Sequence, residues 1–461
     1  MTSPVEFVRV SPGCEVAVRP DAEHLTGWVL REQGRWFESE MSLLPRLLPP
    51  GACFIDVGAN VGVYSLAAAA LVGSAGRVVS FEPSPEAREM LEAGVRRNDF
   101  GWVVVRGEAV ADKAGTERLW TDEATELASL SRPSGGVARG VDVRVSTLDA
   151  LREELEIRRV DLLKIDAEGA EARIIRGAAA LLAERDPLLL HEIKRGSAVD
   201  LSLARQLAAR GLSPYRHVPG LDVLAPVDLE GFVDPYQLNL FAASRARAAS
   251  LAANGILSEG VVAAPSVPLD RGARRLARLP YARFLAAQWQ GARSGDARLH
   301  VLLSLHAFAH EEVSAGAAAR CAALEAALSL ALERVNERTS VPRLLTAARL
   351  AWETGARSLA VRTLRDAIAA LEAEGEGALD EPFLCPHPSA EDRPPRGPVE
   401  GMILAAAIAQ HERLRAFSSF FTGLDGVRAL RLFGLLGYPD EEMRRRLALL
   451  EQRAERAGLL S

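Results

Sequence analysis

Cys53-Phe54-Ile55-Asp56-Val57-Gly58-Ala59-Asn60-Val61-Gly62 reads as a short buried strand that ends on an acid and opens at once into a glycine-bearing loop. A helix starting near Val63 completes a strand–loop–helix unit, the first crossover of a doubly wound α/β sheet whose loop backbone passes close to a ligand. Twenty residues past Gly62, the strand Arg77-Val78-Val79-Ser80-Phe81 runs into Glu82, where a carboxylate can accept both hydroxyls of a ribose. A third segment, Asp161-Leu162-Leu163-Lys164-Ile165-Asp166-Ala167-Glu168-Gly169-Ala170-Glu171, gathers acids at the end of another strand. Ligands of such sheets bind beyond the carboxyl ends of the strands, which is where Asp56, Glu82, Asp166 and Glu192 fall.

The glycine spacing narrows the ligand. A dinucleotide loop wants G-x-G-x-x-G to bring amides against a pyrophosphate, whereas Gly58 and Gly62 are spaced G-x-x-x-G, and no G-K-[ST] of a P-loop follows. A ligand with adenosine at one end and an amino acid at the other fits: Asp56 and the glycine backbone would take the amino-acid part, Glu82 the ribose, and the loop after the third strand the adenine. That ligand is S-adenosylmethionine. A dinucleotide enzyme and a fold without chemistry stay open on spacing alone.

The wider pattern adds to this. Trp36-Phe37-Glu38 precedes the pocket, and FIDVGANVGVYS, VVSFEPSP, EAVADKAG from Glu108 to Gly115, STLDAL from Ser146 to Leu151, and VDLLKIDAEGAE follow in order. In that order and spacing the set resembles the FkbM-type methyltransferase family, from about Trp36 to Ser244. The resemblance implies a seven-stranded class I, Rossmann-like sheet. It also implies S-adenosylmethionine-dependent O-methylation of a hydroxyl on a sugar, polyketide or related natural product, as in secondary metabolism or glycan decoration. It implies cofactor contacts from Glu38, Asp56, Gly58, Ala59, Asn60, Gly62, Glu82, Pro83, Glu108, Ala109, Asp166 and Glu168, with Ala109 near the adenine. Ala167 stands where the family often has valine, a small change inside the motif.

Four residues are candidates for the chemistry itself: Asp166, Lys164, His191 and Glu192. Asp166 ends a nearly apolar strand at the cleft, where partial desolvation would raise its pKa and suit it to take a hydroxyl proton. His191 and Glu192 break the apolar run Leu188-Leu189-Leu190, so at least one should face the cleft. Lys164 is one of only three lysines against 52 arginines, and a lysine is a compact, titratable charge. Each has a plainer reading beside the functional one. Asp56 and Glu82 can cap helices, Glu168 and Glu171 can stabilise a helix start, His191 can be a satisfied buried histidine, and a GC-rich gene explains the arginine bias. Asp166, Glu168 and Glu192 are also chemically able to hold a divalent metal, but a metal-free transfer is the preferred reading.

Composition bounds the rest. At 461 residues the chain should form two or three domains, and a formal charge of −6 with a pI near 5.9 gives no general attraction to nucleic acid or anionic membrane. No apolar run reads as a membrane span, MTSPVEFVRVSPG lacks a secretory pattern, and Cys14, Cys53, Cys321 and Cys385 lack metal or disulfide spacing. A reduced, cytoplasmic protein is expected.

The organisation expected is a short β segment over 1–35, a methyltransferase domain over 36–244, a linker over 245–271 and an all-α domain over 272–461. Within the catalytic part, alternation predicts strands at 53–57, 77–82, 102–106, 161–166 and 188–193, helices at 63–73, 85–98, 170–184 and 198–210, and a closing strand at 236–242. The polar stretch 120–140 is expected to fold over the cleft. Beyond 272, Ala, Leu, Arg and Glu recur at helical spacing, as in Pro342 to Trp352 followed by Gly355, giving a tetratricopeptide-like hairpin or an irregular bundle, with 380–398 as a proline-rich loop. This half is a candidate for dimerisation, for a protein partner or for holding a small-molecule or glycan acceptor. A methyltransferase fold that has lost turnover and serves as a scaffold is the rival reading of the whole.

Overall fold

The structure is a computed structural model that describes residues 5–20, 24–122, 127–129, 139–195, 199–289, 296–374 and 377–458. It divides into two compact units. The first comprises Met1–Arg216, Val227–Val233 and Gln237–Ser250, and the second His217–Pro226, Asp234–Tyr236 and Leu251–Ser461.

The main sheet has eight strands, one more than expected: β1 (Cys53–Val57), β2 (Arg77–Phe81), β3 (Val103–Arg106), β4 (Leu162–Ile165), β5 (Leu188–Glu192), β6 (Ser213–Val218) and β7 (Asn239–Ala243), with an edge strand, Val223–Pro226, beyond β6. The order of β1 to β7 is β6-β7-β5-β4-β1-β2-β3, with β7 antiparallel to β5 and to β6 and the other pairings among them parallel. This is the doubly wound class I sheet expected above, reversing direction of winding between β1 and β4. Strands covered on both faces read as near-continuous apolar runs, and β1 and β4 are buried at every position. The order brings the ends of β1, β2, β4 and β5 to one edge of the sheet.

Several elements differ from the sequence expectation. The helix expected over 170–184 is two, Glu171–Arg176 and Ala179–Arg185, broken at Gly177. There the chain passes so close to Ala111 that a Cβ would lie 2.1 Å from its carbonyl oxygen, so packing overrides the helical pattern. The helix expected over 198–210 covers only Ser202–Ala208. The β segment at the start is a hairpin, Glu6–Val10 with Cys14–Val18, followed by a helix at Leu25–Gln33. The linker stretch opens with a helix, Arg245–Ala253. Between β3 and β4 lies a second sheet in the order Ala109–Val110, Arg139–Ser146, Gly115–Asp122, Leu127–Ser129, around Ala109, Ala111, Leu119, Val143 and Val145. Much of the stretch expected to cover the cleft, 123–126 and 130–138, lies outside the described residues.

In the second unit, consecutive helices pack as neighbours: Ala297–Glu311, Gly316–Glu337, Val341–Thr354, Arg357–Glu374 and Val399–Arg415. Gly355 ends the third in a left-handed turn (φ 89°), as the sequence suggests. The proline-rich segment is pinned rather than loose: Tyr281 Oη donates to Phe383 O at 2.8 Å and Trp289 Nε1 to Leu379 O at 2.9 Å, all three rings being buried. The stretch Val313–Glu337 is, by length and composition, apolar enough to cross a membrane (mean hydropathy 1.4), which qualifies the reading that no run is. Its Cys321, Ala323, Leu324, Ala327 and Ala331 belong to the helical core.

Candidate functional site

The turn after β1 is built for close approach of the chain to itself. Gly58 (φ 80°) carries no Cβ because one would sit 1.7 Å from Asp166 O, and its amide donates to Phe81 O at 3.0 Å. Gly62 (φ 89°) starts the helix Val63–Val72, where a Cβ would meet Leu91 Cδ1 at 2.2 Å. These glycines therefore lock the ends of β1, β2 and β4 together, a role the sequence reading gave to ligand approach alone. Ala59 is buried and donates its amide to Phe81 O; Asn60, at φ 50°, is exposed.

Glu82 closes this turn from the β2 side. Its Oε2 accepts from Asn60 N and its Oε1 from Ser84 N, both at 2.7 Å, and the carboxylate is buried. Burial drives its pKa up to about 7 against those two amides. Each oxygen keeps a further lone pair, so the group can still accept ribose hydroxyls. Pro83 is half-buried beside it, and its carbonyl accepts from Arg88 Nη1 at 3.3 Å.

Lys164 is the hub of the site. Its ammonium lies 2.9 Å from Asp166 Oδ2, 3.8 Å from Asp56 Oδ1 and 4.9 Å from the Tyr64 ring centre. Burial works against its charge, but Asp166, Asp56 and Glu38 together outweigh burial and raise the pKa. Asp56 is fully enclosed: Oδ2 accepts from Ser65 Oγ at 2.7 Å, whereas Oδ1 has no hydrogen-bond partner among the described residues. Ser65 Oγ is also 2.7 Å from Ser80 Oγ. Glu38 accepts from Trp36 Nε1 (2.9 Å), Tyr64 Oη (2.5 Å) and Asn239 Nδ2 (2.8 Å), and burial raises its pKa. Tyr64 and Asn239 are absent from the sequence candidates; the signal for Asn239 is a lone polar residue in the apolar closing strand.

Asp166, Glu168 and Glu192 form the open, acidic side, with one oxygen from each lying within 4.8 Å of the others. Burial, then the neighbouring charges of Asp166, Glu168 and Glu171, push Glu192 up to about 8. The expected role of His191 is not what the structure presents. Alternation along β5 turns it away from Glu192 into the protein, 2% exposed, with Nδ1 3.1 Å from Glu192 O. Burial lowers its pKa to about 4, so the imidazole is neutral, and its Nε2 is buried with no hydrogen-bond partner among the described residues. Glu108 is likewise committed: Arg106 binds both its oxygens at 2.5 and 3.1 Å and holds its pKa down, while Ala109 is buried in the small sheet.

The arrangement fits the ligand expected. The carboxyl groups of Asp166, Glu168 and Glu192 on the open side outnumber the one ammonium of Lys164, an acidic edge suited to a cation such as a sulfonium with an α-ammonium. Glu82 retains acceptor capacity, and Asp56 Oδ1 is an unsatisfied buried acceptor.

Residues 56–201 match the family model of the methyltransferase FkbM domain. Among curated relatives, the 31-O-demethyl-FK506 methyltransferase FkbM of Streptomyces tacrolimicus is 30% identical over 28% of this chain and 60% of its own length. Methyltransferase sdnD of Sordaria araneosa is 28% identical over 28% of this chain and 61% of its own. The AMB antimetabolite synthetase AmbE of Pseudomonas aeruginosa is 31% identical over 33% of this chain and 9% of its own. The chain thus spans less than two thirds of the length of each. A solved structure, methyltransferase FkbM from Methylobacillus flagellatus KT, aligns with a TM-score of 0.31 at 19% identity, covering 45% of this chain and 48% of that one. By these comparisons residues 56–201 are similar to the methyltransferase FkbM domain.

Proposed function

We propose that the first unit is an S-adenosylmethionine-dependent methyltransferase that methylates a hydroxyl oxygen of a sugar, polyketide or related natural product. The observation that carries this reading is the convergence of Glu82, Lys164, Asp166 and Glu192 at adjoining strand ends, inside the stretch that matches the family model.

The cofactor supplies an activated methyl group on a sulfonium. Glu82 would hold the ribose, and carbonyls of the Gly58–Gly62 turn, whose amides already donate within the protein, the ammonium of the amino-acid end, with Asp56 and Ser65 fixing that turn from beneath. Lys164 holds Asp166 in place at the cleft edge and neutralises part of the buried acid. Glu192 suits the acceptor's proton: its pKa of about 8 keeps a usable base form near neutral pH. In-line alignment of acceptor and methyl provides most of the rate, with proton removal a secondary aid. A divalent ion on Asp166, Glu168 and Glu192 would serve the same end by acidifying the hydroxyl.

Incubation with methyl-labelled S-adenosylmethionine and hydroxylated metabolite fractions tests the reading. Label appearing in an alkali-stable methyl ether supports it. Cofactor binding with no transfer to any fraction favours the scaffold reading, in which the helical unit engages a protein partner.

A further inference from the structure

The second unit holds a constellation of its own, built from residues outside the candidate site described above. His306 and His310 are four residues apart in the helix Ala297–Glu311, so they project from one face. Glu353 comes from the last turn of Val341–Thr354. His306 Nε2 lies 3.1 Å and His310 Nε2 3.2 Å from the same oxygen, Glu353 Oε2, and the two rings stand 4.5 Å apart at 55°. One ligand atom from each residue lies within 4.8 Å of the others.

We propose that His306, His310 and Glu353 bind a divalent transition-metal ion of the zinc class. Two imidazoles and a carboxylate are a common zinc donor set, and bonds of roughly 2.0–2.1 Å in a tetrahedron put neighbouring ligand atoms roughly 3.3 Å apart. The observed 3.1 and 3.2 Å separations are close to that edge. Hydrogen bonding accounts for the cluster less well. His310 Nε2 and Glu353 Oε2 share a hydrogen bond at 3.2 Å, but His306 is completely buried and neither of its nitrogens has a hydrogen-bond partner among the described residues; Glu353 Oε2 is near its Nε2 without hydrogen-bond geometry. An oxygen so placed is where a fellow ligand would lie. Burial keeps His306 neutral, its pKa pushed down to about 3, and Glu353 stays ionised, so both are in ligating form.

The surroundings support the set. Arg349 Nε donates to the other oxygen, Glu353 Oε1, at 2.6 Å, fixing the carboxylate so that Oε2 faces the imidazoles. Glu391, 2.8 Å from Arg349 Nη1, balances the guanidinium. His310 is 19% exposed and gives the ion a way in.

The test uses the full chain, stripped with a chelator and titrated with Zn²⁺ by calorimetry and with Co²⁺ by visible absorption. One saturable site with the intense bands of tetrahedral Co²⁺ is expected. His310→Gln, at a partly exposed position, should weaken Zn²⁺ binding by at least about 100-fold, the upper end of what even an outer-shell change produces. Glu192→Gln, which breaks the acidic trio of the first unit, should leave that affinity unchanged. X-ray absorption of the zinc-loaded wild type should show two imidazoles and needs no variant to fold. Zinc binding that survives His310→Gln but is lost in Glu192→Gln, or a zinc shell without imidazole, overturns the proposal. Absence of any saturable site does the same and leaves a polar core cluster only.

Discussion

Lys164 Nζ is held 2.9 Å from Asp166 Oδ2 and 3.8 Å from Asp56 Oδ1, so one buried ammonium serves an enclosed carboxylate on β1 and an open one just past the end of its own strand. The two acids differ in consequence. Lys164→Met should strand Asp56 without a counter-charge and destabilise the first unit by about 3–5 kcal/mol, the usual penalty for breaking a buried pair from one side. Urea denaturation measures this. A loss below about 1 kcal/mol would mean that Asp56 takes up a proton instead and the pair is not structural.

Asp166→Asn keeps the shape of the open partner and loses its charge. If Asp166 orients the acceptor, turnover should fall by about 100-fold or more while S-adenosylmethionine affinity changes little. The opposite split, with affinity lost and turnover kept at saturation, would make Asp166 a cofactor contact.

Glu192 gives a pH signature. Its active form as a base is ionised, so kcat/KM, which follows the free enzyme, should rise with pH through about 8 and level off above it, and Glu192→Gln should abolish that limb. Stability runs the other way. A carboxyl whose folded-state pKa is raised from 4.5 to about 8 stabilises the fold fully below about 4.5, and that contribution disappears as pH climbs through 8. Thermal midpoints of the ligand-free protein between pH 5 and 8.5 should therefore fall more steeply in the wild type than in Glu192→Gln. Parallel slopes would show that Glu192 is not the group responsible.

Glu82→Ala should weaken S-adenosylmethionine binding by about 1.5–3 kcal/mol, through lost ribose contacts and through the two amides it leaves without an acceptor. Calorimetry beside thermal unfolding separates these causes. A drop in stability with unchanged affinity would make Glu82 a clamp on the Asn60 turn and nothing more.

The legibility of this chain follows the range of its interactions. Cys53 to Gly62 could be read because strand, turn and helix start are neighbours in sequence, and the chemistry of Asp56 and Glu82 belongs to fixed places in such a sheet. The same residues misled on one point, since Gly58 and Gly62 are demanded by Asp166 O and Leu91, which no local pattern shows. Which of His191 and Glu192 meets the cleft is not legible, because alternation does not say which face of β5 lies there; His191 is the buried one. His306 and His310 carry a visible four-residue spacing, but their third member, Glu353, lies 43 residues beyond His310 on another helix. Only packing brings them together.

The boundary between the units gives the last prediction. Sequence composition places a linker over 245–271, so that a cut at Val262 would fall between the domains, yet Val218, Leu221, Val223 and Ala225 are buried in the same apolar cluster as Leu276, Tyr281, Leu302 and Leu345 of the second unit. A chain cut after Val262 would expose the first four to water. Burying a valine or leucine side chain is worth about 1.5–3 kcal/mol, so several kcal/mol of stabilisation would be lost around residues 217–226. Those residues leave directly from β6, whose Ser213–Tyr215 pair with β7 in the first unit's own sheet. The truncated chain should therefore bind the apolar dye ANS, aggregate on mild heating and unfold at lower urea than the first unit within the full chain. Substituting the four exposed apolar residues with polar ones should recover solubility. A cut chain as stable as the full-length protein, with no dye binding, would show that residues 217–226 rearrange to bury their apolar side chains without the helices.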